Sequence, residues 1–245
     1  MELKVIGYWG AYPEAESATS CYLLEQDGFK VVIDLGSGAL SRLQQYVTVD
    51  EIDAVVLSHF HHDHVADLGS FQYACLVQQQ LKNIQGHIPI NAADDNETDF
   101  NQLNHVATKG KGYQEGQDLH IGPFTFSFQK TKHPKTCYAM RVTNGEKTFV
   151  YTADTAFFPE LAGFAKGADL LVAESSFYKG MDGAKAGHMT GEECGKLARD
   201  ASVGVLWLTH LPHFGEHNDL VNEANSQYNG SVTLAYEGLT WRSKG

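Results

Sequence analysis

Ser58-His59-Phe60-His61-His62-Asp63-His64 gathers more metal-capable side chains than any other short run of this chain. Taken with gaps it is H-x-H-x-D-H, so His59, His61, Asp63 and His64 fall within six positions. The apolar run Ala54-Val55-Val56-Leu57 comes directly before it. A strand there delivers the four side chains to a loop at the edge of a sheet. Neutral imidazole and carboxylate are the usual ligands of zinc and its neighbouring transition metals. No cysteine lies within the stretch, which argues against a closed thiolate site. Crowding imidazoles and a carboxylate together costs stability unless something neutralises or orders them. A polar surface loop that merely happens to be His-rich requires neither this order of residues nor the distant partners described below.

The segments around this stretch read as mixed α and β. Leu3 to Trp9 is a first strand, followed by a polar loop from Gly10 to Ser20. Cys21 to Leu24 and Lys30 to Asp34 form a hairpin through the turn signal Asp27-Gly28. Leu40, Leu43 and Val47 carry helical spacing, and Leu68, Phe71, Cys75 and Leu76 predict a longer helix packed on a sheet. Residues 91–116 carry the weakest pattern. Asp94-Asp95-Asn96-Glu97 reads as a solvated face, and Phe100, Leu103 and Val106 give only a faint helical period. Strands return at Leu119 to Ile121, Phe124 to Lys132, Tyr138 to Val142 and Lys147 to Thr152, the last two joined through Asn144-Gly145. Asp169 to Ala173 and Val205 to Leu208 are short core strands, and Val232 to Tyr236 is a final one. Thr190-Gly191-Glu192-Glu193 has capping-box form ahead of a helix face made by Leu197, Ala198 and Ala201.

Length and composition bound the function. A chain of 245 residues suits one large domain or two fused halves. Its net charge of −12 does not advertise a broad nucleic-acid surface, although bound divalent ions offset negative charge locally. The N-terminal Met1-Glu2-Leu3-Lys4-Val5 reads as a strand rather than a signal peptide, and no apolar stretch reaches bilayer-spanning length. Cys21, Cys75, Cys137 and Cys194 are scattered, without C-x-x-C, which fits thiols in a reducing cytoplasm.

A two-metal hydrolase needs further ligands from other strand ends, with the ions about 3.5–4 Å apart. Three residues qualify. His133 ends a strand in Thr131-Lys132-His133-Pro134, Asp154 follows one in Tyr151-Thr152-Ala153-Asp154, and His210 follows another in Leu208-Thr209-His210. A strand-end His or Asp taken singly is more often a turn residue. Together, each at the end of a strand and in an order that resembles that of the metallo-β-lactamase superfamily, they read as ligands.

H-x-H-x-D-H with these distant partners resembles the metallo-β-lactamase superfamily along nearly the whole chain. The resemblance implies one domain over 1–245 with that α+β fold, a four-layer αββα sandwich; the pattern of elements alone supports only mixed α and β. It implies that His59, His61 and His133 are terminal ligands of a first metal, and that Asp63, His64 and His210 serve a second. Asp154 would bridge both, because a carboxylate can turn one oxygen to each cation. The implied cofactors are two divalent ions, zinc foremost.

Within the superfamily the chain is similar to the RNase Z (ElaC-like) branch. Asp154 lies in an A-D-T tripeptide similar to G-D-T. Ala173-Glu174-Ser175-Ser176-Phe177 is similar to H-E-A-T-F, and His188-Met189-Thr190 to H-S-T. In that branch the Glu and His act as a pair, so Glu174 is expected to orient His188, and His188 to bind a phosphate oxygen or protonate a leaving oxygen. Two departures stand out. The long basic arm that clamps tRNA is absent, because only about twenty residues separate His133 from Asp154. The ending H-F-S-x-R-Y is replaced by His210-Leu211-Pro212-His213-Phe214, which lacks the Arg. His213 and His217 are read as surface residues or as supports for the ligands.

The resulting expectation is a cytoplasmic phosphodiesterase or RNase Z-like ribonuclease. A hydroxide bridging the metals would attack, Asp63 would orient it or take its proton, and His188 would assist departure. The substrate would be a small phosphodiester or an RNA end. No membrane partner is expected, and a homodimer is suggested by the family alone. Two rivals stay open: a thioester or lactone hydrolase of the same fold, and a non-catalytic metal-binding protein that interacts with RNA. Glu174 and His188 discriminate against a thioesterase, which gives them no clear reason to exist.

Overall fold

In the computed structural model, which describes residues 1–242, β1 (Glu2–Gly7) pairs antiparallel with β2 (Cys21–Gln26). Asp27 and Gly28, both at positive φ, fold β2 back onto β3 (Phe29–Ile33). From β3 onward the pairing turns parallel. After α1 (Ala39–Leu43) and a 3-10 turn at Val49–Glu51 comes β4 (Ala54–Val56), every residue of it buried. The one-turn helix α2 (His62–Val65) and the longer α3 (Leu68–Gln80) lead to β5 (Ile88–Ala93), and α4 (Glu97–Asn101) leads to β6 (Thr108–Tyr113). β5 and β6 continue the parallel run from β4. Leu68, Phe71 and Cys75 of α3 join one core cluster with Val32, Val55, Leu57 and Ile90. Met1–Gln114 belongs to this first unit.

The second unit, Glu115–Ala235, starts as an antiparallel meander of β7 (Leu119–Ile121), β8 (Phe124–Lys130), β9 (Tyr138–Thr143) and β10 (Thr148–Tyr151). Helix α5 (Glu160–Phe164) then precedes β11 (Leu170–Glu174), which lies parallel to β10 and is buried throughout. Helices α6 (Gly183–Ala186) and α7 (Gly191–Ala201) precede β12 (Val205–Thr209), and α8 (His217–Asn225) precedes β13 (Ser231–Leu234). The strand order is β13-β12-β11-β10-β9-β8-β7. The capping box is present, with Thr190 Oγ1 accepting from Glu193 N. It starts α7 with Cys194, Leu197, Ala198 and Ala201 on a buried face packed on β11 and β12. The last strand, β14 (Thr240–Arg242), belongs to the first sheet, whose order is β14-β1-β2-β3-β4-β5-β6.

Both sheets are mixed and carry helices in their parallel crossovers, so the α+β expectation holds. Residues 243–245 lie outside the described residues. Several boundaries differ from the pattern reading. The first strand stops at Gly7, and Trp9 makes only an isolated bridge to Thr19. Val47 lies beyond α1, and α4 ends before Leu103. β5, β6 and β14 carry no legible strand pattern. β6 is Thr-Lys-Gly-Lys-Gly-Tyr at a sheet edge, where lysine and glycine replace the apolar alternation of an interior strand. Asp94 to Glu97 is exposed as expected, and Asn96 caps α4.

Candidate functional site

In the first unit β4 ends at Val56, and Leu57 N donates to Asn91 O on β5, so the chain leaves the sheet rigidly. Two residues later the histidines begin. His59 Nε2 and His61 Nδ1 lie 3.1 Å apart. His61 is the residue before α2, and Asp63 and His64 occupy its single turn. His64 is fully buried against Asp34, whose Oδ2 accepts from His64 Nδ1 at 2.8 Å. The same carboxylate accepts from Ser58 N at 2.7 Å and Ser58 Oγ at 2.8 Å. A carboxylate holding Nδ1 presents Nε2 as the ligating atom and makes it more basic. That atom is 3.9 Å from Asp63 Oδ2, which also accepts from Ala11 N at 2.9 Å. Asp34 itself has φ of 60°, a left-handed conformation that Asp tolerates better than most residues. The pattern reading placed Asp34 only as the end of a hairpin strand.

In the second unit three strand ends meet. Thr131 Oγ1, just past β8, donates to Asp154 O at 2.8 Å and so ties the His133 loop to the segment after β10. Ala153 and His210, which follow β10 and β12, both adopt positive φ, at 49° and 54°. Such backbone costs energy and persists where its surroundings over-determine it. The two oxygens of the Asp154 carboxylate face different histidines: Oδ2 is 3.9 Å from His133 Nε2, and Oδ1 is 3.4 Å from His210 Nε2. His133 Nδ1 donates to Gly187 O at 3.1 Å, which fixes Nε2 as its ligating atom. Burial pushes the His133 pKa below the ordinary imidazole range, against the opposing charge of Asp154. Burial therefore favours the neutral ring, the form that binds a metal.

Glu174, at the end of β11 and wholly buried, organises the rest of this unit's site. Its Oε1 accepts from His188 Nδ1 at 2.9 Å, Thr155 N at 3.2 Å and Met189 N at 3.1 Å. Its Oε2 accepts from Ser176 N at 3.1 Å and Ser176 Oγ at 2.9 Å. The Ser176 hydroxyl also lies 2.8 Å from His210 Nδ1. A hydroxyl has one proton. Given to the carboxylate, it leaves Oγ to accept from His210 Nδ1–H, and His210 presents Nε2. Glu174 therefore orients His188 directly and His210 through Ser176. Glu174, His188 and His210 bring atoms within 4.8 Å of one another, but the Glu174 oxygens are spent on five donors, which suits positioning rather than ligation. His188 is less deeply buried, with 18% of its side chain exposed. His217 starts α8, and its Nε2 donates to Pro212 O at 2.7 Å.

The donors fit a divalent ion of the zinc type. Bonds of about 2.0–2.1 Å in tetrahedral geometry put two ligand atoms roughly 3.3 Å apart. The pairs His59–His61 at 3.1 Å and His210–Asp154 at 3.4 Å match that edge, and His64–Asp63 and His133–Asp154 at 3.9 Å suit wider angles. His59, His61, Asp63 and His64 come together in the first unit; His133, Asp154, Glu174, His188 and His210 come together in the second. Ser176, inside the Ala173-Glu174-Ser175-Ser176-Phe177 segment, carries no local signal for its bonds to Glu174 and His210.

Residues 30–211 match the family model of the beta-lactamase superfamily domain, a match that runs through both units. The chain belongs to the metallo-β-lactamase superfamily. It is 46% identical over 242 residues to the "Probable metallo-hydrolase YhfI" of Bacillus subtilis, covering 98% of this chain and 99% of that one. The crystal structure of the metallo-β-lactamase fold protein YhfI superposes with a TM-score of 0.97 over 98% of each chain. The superfamily fold is thereby this chain's fold. A ribonuclease Z of Haloarcula marismortui is 24% identical, covering 99% of this chain and 96% of its own length. Human tRNase Z, short form, superposes with a TM-score of 0.78 at 18% identity over 99% of each chain. The superfamily member described here thus sits in a family of metal-dependent hydrolases with RNase Z-like relatives.

Proposed function

We propose that this superfamily member hydrolyses a small phosphodiester with two divalent metal ions, zinc foremost. The observation that carries the reading is Asp154, whose two oxygens face His133 and His210 separately, the disposition a bridging carboxylate needs. Assignment of ligands to ions follows the family resemblance: His59, His61 and His133 for one, Asp63, His64 and His210 for the other. When bound, such ions lower the pKa of water toward neutrality and neutralise charge on phosphate oxygens.

The chain's own groups do the rest. Asp63, held by the Ala11 amide, orients the attacking water and takes its proton. His188, held through Nδ1 by Glu174, binds a phosphate oxygen or protonates the leaving oxygen through Nε2. Glu174 acts through His188 and through Ser176, as a positioning residue. This pair favours a phosphodiester over a thioester, whose thiolate leaving group has little need of a proton. The charge of −12 and the missing arm favour a substrate smaller than tRNA. No described helix is long and apolar enough to cross a membrane. None of the four cysteines is in a disulfide, which supports a cytoplasmic setting, and a homodimer remains part of the proposal on family grounds.

The test is turnover of bis(p-nitrophenyl) phosphate by protein loaded with zinc, manganese or iron. We expect His61→Ala to abolish it through metal loss. His188→Ala should keep its metal and lose roughly 10²- to 10⁴-fold in kcat, the range of a general acid, on a diester whose leaving group is an unactivated alcohol, and lose less on the p-nitrophenyl diester, whose leaving group departs unprotonated. A protein that holds two ions per chain and turns over no phosphodiester would overturn the reading, and thioesters would be tried next.

A further inference from the structure

Rings continue outward from the ligand shell of the second unit. His210 stacks on His188 with centroids 5.4 Å apart and 21° between planes. His188 lies 6.0 Å from Phe177, and Phe177 lies 6.4 Å from Phe214. Tyr178 flanks Phe214 at 5.8 Å. Phe214 is 47% exposed, although it touches two aromatic rings that could have covered it. Its place is fixed from below. Tyr178 Oη donates to Phe214 O at 2.9 Å, and Phe177 is bridged to Thr190, beside His188, through Phe177 N to Met189 O at 3.1 Å. Gly215 completes the turn at φ of 75°, where any Cβ would strike the Tyr178 ring. When the ending H-F-S-x-R-Y is laid on His210, Phe214 stands at the Arg position. In this chain that position presents an exposed aromatic face.

We propose that Phe214, backed by Phe177 and Tyr178, is a stacking platform for the nucleobase of a small phosphodiester, separated from His188 by the one ring of Phe177. The inference rests on the phosphodiester reading above and narrows its substrate class to nucleotides. A base offers a π-face whatever its identity, so the platform supplies affinity without base-edge readout. A single ring also suits a mononucleotide or a dinucleotide better than a polynucleotide, whose successive bases would call for successive stacking rings.

The test compares binding of adenosine 5′-monophosphate and ribose 5-phosphate to the metal-loaded full chain. Both carry the phosphate and only one carries a base. We expect the nucleotide to bind roughly tenfold or more tightly, within the range of one stacked base. Phe214→Leu should bring the two probes to near-equal affinity while leaving ribose 5-phosphate unchanged. Phe214→Trp should preserve the difference, and its added fluorescence should be quenched by the nucleotide and not by the sugar phosphate. Equal affinities in the wild type, weakening of both probes alike by Phe214→Leu, or failure of the nucleotide to bind would each overturn the platform. Failure of the phosphodiester reading shows separately, as absent turnover of the chromogenic diester by the same preparation.

Discussion

Ser176 Oγ is the smallest part of the site and connects most of it. It stands 2.9 Å from Glu174 Oε2 and 2.8 Å from His210 Nδ1, so one hydroxyl holds a metal-type ligand to the carboxylate that also holds His188. Loss of such an outer partner typically costs about 10- to 100-fold in metal affinity. We expect Ser176→Ala to release one ion per chain to a competing chelator at a concentration that leaves the wild type loaded. Ser176→Thr, which keeps the hydroxyl, should behave like wild type. Unchanged retention in Ser176→Ala would show that His210 is oriented by packing instead. Asp34 does for His64 what Ser176 and Glu174 do for His210, with a direct 2.8 Å bond. Neither role was legible in the chain. An Asp after a strand and a Ser within a motif have ordinary local meanings, and their partners lie 30 and 34 positions away.

At the scale of elements, α7 was the most legible helix and its glycine the least. The capping box and the apolar face of Leu197, Ala198 and Ala201 are local signals, so Thr190 to Ala201 could be read directly. Gly195 reads as a weakness in mid-helix. In the structure it is where α8 comes closest, because a Cβ there would lie 2.7 Å from Ala224 Cα and closer still to Ala224 O. Gly195→Ala therefore sets two effects against each other. Helix propensity favours alanine by about 1 kcal/mol. Overpacking against backbone that cannot rotate away costs about 1–3 kcal/mol. The contact should win, and Gly195→Ala should lower the thermal midpoint of unfolding. An unchanged or higher midpoint would mean that α8 slides without cost. β5, β6 and β14 show the opposite case, elements with almost no local signal, because a strand is made by its neighbours and β6 and β14 lie at sheet edges.

The whole molecule carries its cysteines as buried thiols. Burial pushes Cys75 from 9.0 to about 12, and pushes Cys21 and Cys194 well above the ordinary thiol range. Below about pH 7.5 the thiols are protonated both folded and unfolded, and their contribution is fully present. As pH rises toward 12 the unfolded chain gives up protons that folded Cys75 retains, so stability falls, by up to about 1.4 kcal/mol per pH unit per thiol. Urea unfolding at about pH 8 and about pH 10.5 should show this loss. Cys75→Ala, less stable at the lower pH, should lose less on going to the higher one. An equal loss in both proteins would exclude Cys75 as a source. The family, the α+β class, the hairpins at Asp27-Gly28 and Asn144-Gly145, and the candidate ligands are legible along the chain, because ligand spacing, turn residues and strand ends are local in it. Tertiary structure alone decided which carboxylate serves which imidazole, that Glu174 is spent on five donors, and that Phe214 meets Phe177. Those relations join residues tens of positions apart, and only packing within each unit sets their distances.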